Sequence, residues 1–286
     1  MTIWLCGTCG LEYADTPEPP ESCAICSDDR QYVPLTGQRW MTLKEVQNGR
    51  GASFEEFEPD LHGITITPRV GIGHRPILVR TTAGNVLWDP PGFFDDALLG
   101  KIRELGGLAA IASSHPHLTG LSISISHEFG KVPVWYGQDD RMWVRRPDDV
   151  ITFWSDRQQV MPGLTLVQCG GHFAGSAVLH WADGAEGRGV ILTGDTIRVN
   201  SDHTTVSFMR SFPNLIPLSP RSVQKIADAV APLAFDRIYS GFEGELLASG
   251  AAETVRFSAQ RYIDWETDKI RDPDEQPYAV EESRRR

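Results

Sequence analysis

The chain has 286 residues, of which 41% are hydrophobic and 23% charged, a composition typical of a globular protein. Its net charge of −11, from 27 basic and 38 acidic residues, excludes general binding to a nucleic-acid phosphate backbone. No apolar run approaches the ~20 residues that span a membrane, and the N-terminus lacks a signal-peptide pattern. We therefore expect no nucleic-acid partner and no membrane partner.

Two cysteine pairs stand in the first 40 residues, Cys6 with Cys9 and Cys23 with Cys26. Each C-x-x-C pattern places two thiolates on one tight turn, and two such turns supply four sulfur ligands with no open position. This spacing predicts a closed site for Zn²⁺ or a single iron ion. Disulfides and a thioredoxin-like redox pair are the alternatives that these residues leave open.

The sequence around these cysteines resembles the short rubredoxin-type domain found attached to rubrerythrins. The resemblance is carried by Ile3–Tyr13 and Pro19–Cys26. It implies a small metal-binding domain over residues 1–40, with Trp4, Tyr13 and Tyr32 forming its core around the metal. The sequence departs from that family at Ser27–Arg30, so a structural zinc is expected at least as readily as iron.

The remaining chain shows short β-branched runs interrupted by a few helical patterns. A short helix is predicted over Trp40–Val46 with Thr42 as its cap, and a longer one over Asp95–Leu105. Strands are predicted at residues 64–68, 76–81, 85–89, 107–112, 132–136, 164–169, 177–181, 190–193 and 237–240. Helices are also predicted near residues 221–230 and 251–268. Such a mixture indicates a layered α/β sandwich rather than a regular βαβ repeat.

Four residues that suit a metal site follow three of these predicted strands. They are His115, His117, His172 and Asp195. Side chains two positions apart in an extended segment point the same way, so His115 and His117 can bind one ion together. Glycines beside His172 and Asp195 allow the backbone to turn sharply at the strand ends. Three histidines and a carboxylate that meet at one sheet edge would bind a divalent metal such as zinc.

This ordered set resembles the metallo-β-lactamase fold superfamily, over roughly residues 63–268. The resemblance implies an αββα sandwich for residues 41–286, with a metal site at one edge of the sheets. His115, His117 and His172 match the three histidines of the superfamily's first metal site. Asp195 matches the carboxylate that bridges its two metals.

The second metal site of that superfamily is degenerate in this sequence. Thr119 and Gly120 stand where the motif H-x-H-x-D-H has Asp and His, and the last histidine is missing from Gly241–Gly244. The resemblance therefore implies one metal ion rather than two. If the lost ligands are the only obstacle, Thr119→Asp with Gly120→His is expected to recover second-metal binding.

These observations predict a mononuclear metal-dependent hydrolase that acts on a small-molecule ester, lactone, amide or thioester. Asp195 and His172 are the predicted catalytic residues, and Arg210 and His203 are predicted to contact the substrate. Zn or Fe is expected in the four-cysteine site, and Zn, Fe or Mn in the three-histidine site. Two alternatives stay open: a redox protein with an iron-loaded cysteine site, and a non-hydrolytic protein that binds or rearranges a ligand.

The cysteine count bears on the cellular compartment. Four of the five cysteines are assigned to metal, which leaves Cys169 alone and favours a reducing, cytoplasmic location. Cys169 ends a predicted buried strand and is expected to be a small core side chain. The expected partner is a small-molecule substrate, and a homodimer is left open.

Overall fold

The structure is a computed structural model that describes residues 2–272 and 274. The chain begins with a small two-stranded unit. Strands β1 (Trp4–Cys6) and β2 (Trp40–Thr42) pair antiparallel and bracket both cysteine pairs. We call residues 2–42 the ribbon and residues 43–272 the body. Helix α1 (Leu43–Gln47) follows, and Thr42 caps it as predicted. The predicted start of this helix at Trp40 is wrong, because Trp40–Thr42 pairs with β1 as a strand. The Thr42 hydroxyl accepts a hydrogen bond from the Glu45 N–H, and the Glu45 carboxylate accepts one from the Thr42 N–H.

The ribbon core consists of the four cysteines and a few apolar side chains, among them Leu5 and Ile25. Tyr13 is buried there, and its ring meets that of Trp40 edge-on at 4.8 Å. Tyr32 was predicted to join this core, and that prediction is wrong, because Tyr32 is 50% exposed.

The first half of the body forms a seven-stranded sheet in the order β3 to β9. Its strands are β3 (Gly51–Glu58), β4 (Leu61–Thr67), β5 (Ile77–Val79), β6 (Val86–Trp88), β7 (Ala110–Ala112), β8 (Val134–Gly137) and β9 (Ile151–Trp154). Its helices are α2 (Asp96–Glu104) and α3 (Ser122–Glu128). Strands β6 to β9 are parallel, so their C-terminal ends lie at one edge.

The second half forms a six-stranded sheet in the order β10-β11-β12-β13-β18-β19. Its strands are β10 (Arg157–Met161), β11 (Leu164–Gln168), β12 (Ala177–Trp181), β13 (Val190–Leu192), β18 (Arg237–Tyr239) and β19 (Leu246–Leu247). Two small hairpins are β14 (Arg198–Val199) with β15 (Val206–Ser207), and β16 (Met209–Ser211) with β17 (Ile216–Pro217). The helical elements are the one-turn α4 (Gly184–Gly187), α5 (Pro220–Val230) and α6 (Ala251–Glu266). In the part of the chain described, no helix is long and apolar enough to cross a lipid bilayer.

The alternation of side chains along the strands builds four layers. Val86 and Trp88 of β6 pack between the two sheets, whereas Leu87 packs outward into the cluster that contains α2. In the second sheet, Leu192 faces inward and Ile191 packs outward into the cluster of α5 and α6. Full burial of each such side chain contributes about 1.5–3 kcal/mol. The αββα sandwich predicted from the sequence is confirmed.

The ribbon docks on the body through a buried carboxylate. Glu12 accepts hydrogen bonds from the N–H groups of Ile123 and Ser124 at 2.7 and 3.2 Å, at the start of α3. It also accepts one from the Ser124 hydroxyl at 2.6 Å and forms an ion pair with Arg146. A negative charge is favoured at a helix N-terminus, where the backbone N–H groups lack helical partners. The ribbon therefore supplies the cap that α3 lacks from its own side chains.

Backbone contact between Gly10 of the ribbon and Gly92 of the body yields a stability prediction. A Cβ at position 92 would lie 2.7 Å from the Gly10 carbonyl oxygen, so Gly92→Ala must push the two segments apart. We expect a loss of about 1–3 kcal/mol in the free energy of unfolding, measured by denaturant titration. The matched control is Gly100→Ala in α2, where nothing lies within 4 Å and the helix should gain about 0.5–1 kcal/mol. Equal stability of the two variants would contradict close packing at this interface.

Candidate metal centre

Three strand ends bring the four residues of the predicted metal site together. His115 and His117 follow β7 of the first sheet, while His172 follows β11 and Asp195 follows β13 of the second. All four side chains are buried, and one potential ligand atom from each lies within 4.8 Å of all the others. Gly171 and Gly194 adopt positive φ angles, +87° and +50°, immediately before His172 and Asp195.

The distances in this group suit one metal ion. His172 Nε2 lies 3.3 Å from His117 Nδ1 and 3.9 Å from Asp195 Oδ2. His115 Nε2 lies 3.6 Å from the same oxygen, Asp195 Oδ2. In a tetrahedral site with metal–nitrogen and metal–oxygen distances of about 2.0–2.1 Å, ligand atoms are separated by about 3.3 Å. The three histidines and Asp195 are therefore close to the separations that a single divalent ion requires.

Hydrogen bonds to the outer ring nitrogens orient two of the histidines. His172 Nδ1 lies 3.1 Å from the Met209 carbonyl oxygen, which can only accept, so Nδ1 carries the proton and Nε2 presents its lone pair to the centre. His115 Nδ1 lies 2.8 Å from the Ser114 hydroxyl. Ser114 N–H in turn donates to the buried carboxylate of Asp89 at 2.6 Å. Such outer partners fix the ring orientation that metal binding needs.

Buried polar atoms without a hydrogen-bond partner provide the test of fit. His115 Nε2 and Asp195 Oδ1 both lack one among the described residues. Leaving buried polar atoms unpaired is costly, and a cation bound by His115 Nε2 and the Asp195 carboxylate would offset that cost. The residues present therefore fit a divalent metal ion.

Burial shifts the protonation of this group. It lowers the pKa of His115 and His117 well below their usual range and the pKa of His172 to about 4. The histidines are thus neutral at physiological pH, the form that binds metal. Burial also raises the pKa of Asp195 to about 7. The proton on Asp195 therefore competes with a metal ion near neutral pH.

The raised pKa of Asp195 predicts how metal affinity depends on pH. Between pH 5 and 7 a metal ion must displace the Asp195 proton, so the apparent affinity should rise about tenfold per pH unit and then level off. In the metal-free protein, Asp195 alone would make folding stability fall as pH rises from about 4 to about 7, but the three histidines, which stay neutral when folded, have the opposite and larger combined effect up to about pH 6.5, so stability should rise with pH over that range. Isothermal titration with Zn²⁺ at several pH values measures the affinity. Asp195→Asn should bind more weakly with a flat profile over this range, and a flat wild-type profile would contradict the assignment.

The four cysteines of the ribbon form a second group that could hold a metal ion. Cys6 Sγ lies 3.6 Å from Cys26 Sγ, and Cys9 Sγ lies 3.7 Å from Cys23 Sγ. A disulfide needs about 2.05 Å, whereas tetrahedral zinc with Zn–S distances of about 2.3 Å separates its sulfurs by about 3.8 Å. Tyr13 hydroxyl donates to Cys23 Sγ at 3.1 Å, as expected for a sulfur that carries negative charge.

A cavity of about 320 Å³ reaches the histidine and aspartate group. His117, His172 and Asp195 form part of its lining. The ribbon contributes another part of the wall, with Thr8, Arg30, Gln31 and Tyr32. The cationic side chains in the lining are Arg30, Arg69 and Arg198. This volume is at the lower end of the range for small-molecule sites.

The two predicted substrate contacts lie elsewhere. Arg210 forms an ion pair with Asp29 at 2.8 Å, and His203 Nδ1 lies 3.0 Å from the Leu246 carbonyl oxygen. Neither residue lines the cavity that contains the metal ligands. His203 lies in the β14–β15 hairpin, away from Asp195, whereas Arg210 directly follows Met209, whose carbonyl contacts His172, and turns its side chain to Asp29 instead.

Sequence reasoning gave no functional role to Asp89 or Arg30. Asp89 follows β6, which pairs in parallel with β7, so its position opposite Ser114 could have been inferred from parallel strand ends. Arg30 stands in the segment that departs from the rubredoxin pattern, and that departure was the available signal. Cys169, in contrast, is a buried core residue as predicted, and burial raises its pKa to about 12.

The structure also explains why a second metal site cannot be restored simply. A Cβ at position 120 would lie 2.1 Å from the Pro90 carbonyl oxygen, so Gly120→His cannot be accommodated. The Gly120 carbonyl oxygen accepts a hydrogen bond from the Glu12 N–H of the ribbon at 3.2 Å. The condition attached to Thr119→Asp with Gly120→His, that the lost ligands are the only obstacle, is therefore not met. More than the lost ligands stands in the way.

The fold is that of the metallo-β-lactamases. DIM-1 metallo-β-lactamase aligns with a TM-score of 0.56 and 14% identity, over 74% of this chain and 98% of that chain. A B3 metallo-β-lactamase with an active-site glutamic acid aligns with a TM-score of 0.51 and 16% identity, over 77% and 92%. A metallo-β-lactamase family protein from Thermus thermophilus gives 0.50 and 16%, over 75% and 81%.

The sequence itself has a much nearer relative. It is 42% identical over 266 residues to YmaE of Bacillus subtilis (strain 168), an uncharacterized protein, and this covers 92% of the chain and 96% of the relative. The chain belongs to the same family as YmaE. No family model matches the sequence.

Proposed function

We propose that this protein is a metal-dependent hydrolase of a small-molecule ester, lactone, amide or thioester, with a mononuclear site. The observation that carries this proposal is the buried group of three histidines and Asp195 at a small-molecule cavity. The metallo-β-lactamase fold supports it. Zinc is the ion that we propose for both metal sites, since it suits nitrogen, oxygen and thiolate ligands alike.

The chemistry divides between the metal and the side chains. A divalent ion held by the three histidines and Asp195 Oδ2 would supply a Lewis acid, and it would lower the pKa of a water that joined it as a further ligand to about 7. Asp195 Oδ1 has no hydrogen-bond partner among the described residues, so it is free to orient the attacking water and accept its proton. His172, held through Nδ1 by the Met209 carbonyl, keeps the lone pair of Nε2 directed into the site.

The cavity lining favours a substrate with an anionic group. Its three cationic side chains, Arg30, Arg69 and Arg198, stand in a protein whose net charge is −11. Arg30 pairs with Asp28 and Arg198 with Glu245, whereas Arg69 forms no ion pair with the described residues. Arginine binds carboxylates through paired hydrogen bonds, so we propose that Arg69 faces a carboxylate of the substrate.

A second candidate is a non-hydrolytic protein that binds or rearranges a ligand at the same site. Thr119 favours it, because it stands where dinuclear relatives carry a catalytic Asp. Its hydroxyl donates to the Pro116 carbonyl at 3.3 Å instead of facing a metal ligand. In a non-hydrolytic protein of this kind, the metal ion would orient a bound ligand, and no water molecule would attack that ligand.

A substrate panel decides between these candidates. The zinc-loaded protein is tested on esters, lactones, thioesters and β-lactams, each with and without a carboxylate. We expect metal-dependent hydrolysis, with carboxylate-bearing members preferred. Asp195→Asn should reduce kcat far more than KM, because Asp195 acts on the water rather than on the substrate. An occupied site without turnover on any member would reject the hydrolase and leave the non-hydrolytic protein.

A further inference from the structure

We infer that the ribbon completes the metal centre of the body, and that Arg30 is the positioning residue through which it does so. The inference rests on the metal-binding part of the proposed function and does not require hydrolysis. The segment that makes the connection is Asp28–Gln31, which we call the clasp. It begins two residues after the metal-site cysteine Cys26 and lies against the loop that carries His172.

Arg30 covers the side chains behind the three histidines. Its guanidinium carbon lies 3.9 Å from the ring centroid of Phe173, a stacked cation–π contact. The Phe173 ring in turn contacts the rings of all three histidines, at centroid distances of 4.8–5.7 Å. Arg30 also donates from Nη1 to the His172 carbonyl oxygen at 3.4 Å. Removing Arg30 would free both the backbone of His172 and the ring that supports the histidines.

Asp28 holds Arg30 in this position. The two side chains form a two-point ion pair, with Arg30 Nε and Nη2 at 2.5 and 2.9 Å from the Asp28 oxygens. Both are mostly buried, with side-chain exposures of 11% and 16%, and the hydrogen bonds from the Arg30 side chain lower the pKa of Asp28 to about 2. Only Nη1 is left to reach His172. A paired and buried arginine of this kind is fixed in space, as a positioning role requires.

The clasp holds the other support of His172 as well. The Ser211 hydroxyl donates to the Arg30 carbonyl at 3.1 Å, and Asn214 Nδ2 donates to the Asp29 and Gln31 carbonyls at 2.9 and 3.0 Å. These contacts anchor strand β16, which begins at Met209. Met209 supplies the carbonyl that orients His172. The clasp thus supports His172 in two ways, directly through its backbone carbonyl and indirectly through the strand that carries Met209.

The position of the clasp ties it to the state of the cysteine site. Ser27 N–H donates to the Cys23 carbonyl at 3.0 Å, so the turn that carries two metal-site cysteines leads directly into Asp28. Without a metal the ribbon has too small a core to hold this turn. Loss of the ribbon metal should therefore release the clasp and weaken metal binding in the body.

Cobalt titration tests the inference without any substrate. The ribbon is first filled with Zn²⁺, and Co²⁺ is then added to the histidine site, where its d–d absorption bands report affinity and geometry. We expect Arg30→Ala to raise the Co²⁺ dissociation constant by about tenfold or more and to change the band shape, while the ribbon keeps one zinc. Arg30→Lys, which keeps the charge but not the planar stacking group, should lie between Arg30→Ala and the wild type.

Two further variants serve as a control and as a second test of the clasp. Arg256→Ala is the matched control, because this arginine is 78% exposed on α6 and should leave the titration unchanged. Asn214→Ala loosens the clasp from the surface, so it should raise the dissociation constant even if Arg30→Ala fails to fold. Co²⁺ binding within twofold of wild type in both Arg30→Ala and Asn214→Ala would overturn the inference. A wild-type protein with no Co²⁺ site beyond the ribbon would overturn the metal centre itself, whereas absent hydrolysis alone would leave the inference standing.

Discussion

Replacing His115 with alanine is expected to remove the metal ion of the body while the ribbon keeps its own. His115 is one of the four proposed ligands, and its Nε2 atom is 3.6 Å from the Asp195 oxygen that would bind the same ion. Loss of a direct ligand should exceed the 10–100-fold fall in affinity that is usual for outer hydrogen-bond partners. Elemental analysis should therefore fall from two metal ions per chain to one, and any metal-dependent turnover should be lost.

The control for this experiment is a histidine outside the site. His180 is on β12, away from the metal centre, with Nε2 at 2.8 Å from the Ala234 carbonyl oxygen. His180→Ala should keep two metal ions per chain and full activity. A wild-type count of one would show that the body binds no metal, and a count of two in purified His115→Ala would show that the ion lies elsewhere.

Replacing Cys6 with serine is expected to empty the ribbon and unfold it. The four cysteines form much of the ribbon core, and structural zinc contributes about 10–16 kcal/mol to the folding of comparable small domains. No apolar cluster of the ribbon could offset a loss of that size. Metal analysis should show about one ion fewer per chain, and limited proteolysis should cleave within residues 2–42.

Cys169→Ala provides the matched control. Cys169 is buried in the body, its Sγ lies 3.5 Å from the Val167 carbonyl, and it is not part of either metal group. This variant should keep the full metal count and a protease-resistant ribbon. Full metal content in Cys6→Ser would refute the four-thiolate assignment.

The sequence predicted the parts of the fold that rest on local patterns. Strand β12 was predicted at its observed bounds, and the αββα layers follow from apolar strands with covering helices. Strand β3 was missed because Gly51–Glu58 carries four polar residues and only a partly apolar face. It is an edge strand, held by long pairing with β4 rather than by burial.

The four residues of the candidate metal group were predictable from the sequence, but their surroundings were not. His115, His117, His172 and Asp195 each follow a strand or an adjoining turn, and strand ends that share an edge converge. Arg30 lies 142 positions from His172 in the sequence, and no local pattern indicates that the two meet. His203 was predicted from a polar loop after the Gly-Asp motif and Arg210 from a segment rich in aromatic residues, and neither lines the cavity at the candidate metal group.

The docking of the ribbon has a consequence for the order of events during synthesis. The ribbon is complete once Thr42 has left the ribosome, but the surface of the body on which it docks is complete only after Asn214 has been synthesised. At about 5–20 residues per second, roughly 10–30 s pass between the two events. During that time the ribbon of the nascent chain depends on its metal ion for folding, and the surface through which it docks on the body is still exposed to solvent. Zinc supplied during translation should therefore give more correctly assembled protein than zinc added afterwards, a difference that cell-free expression would measure.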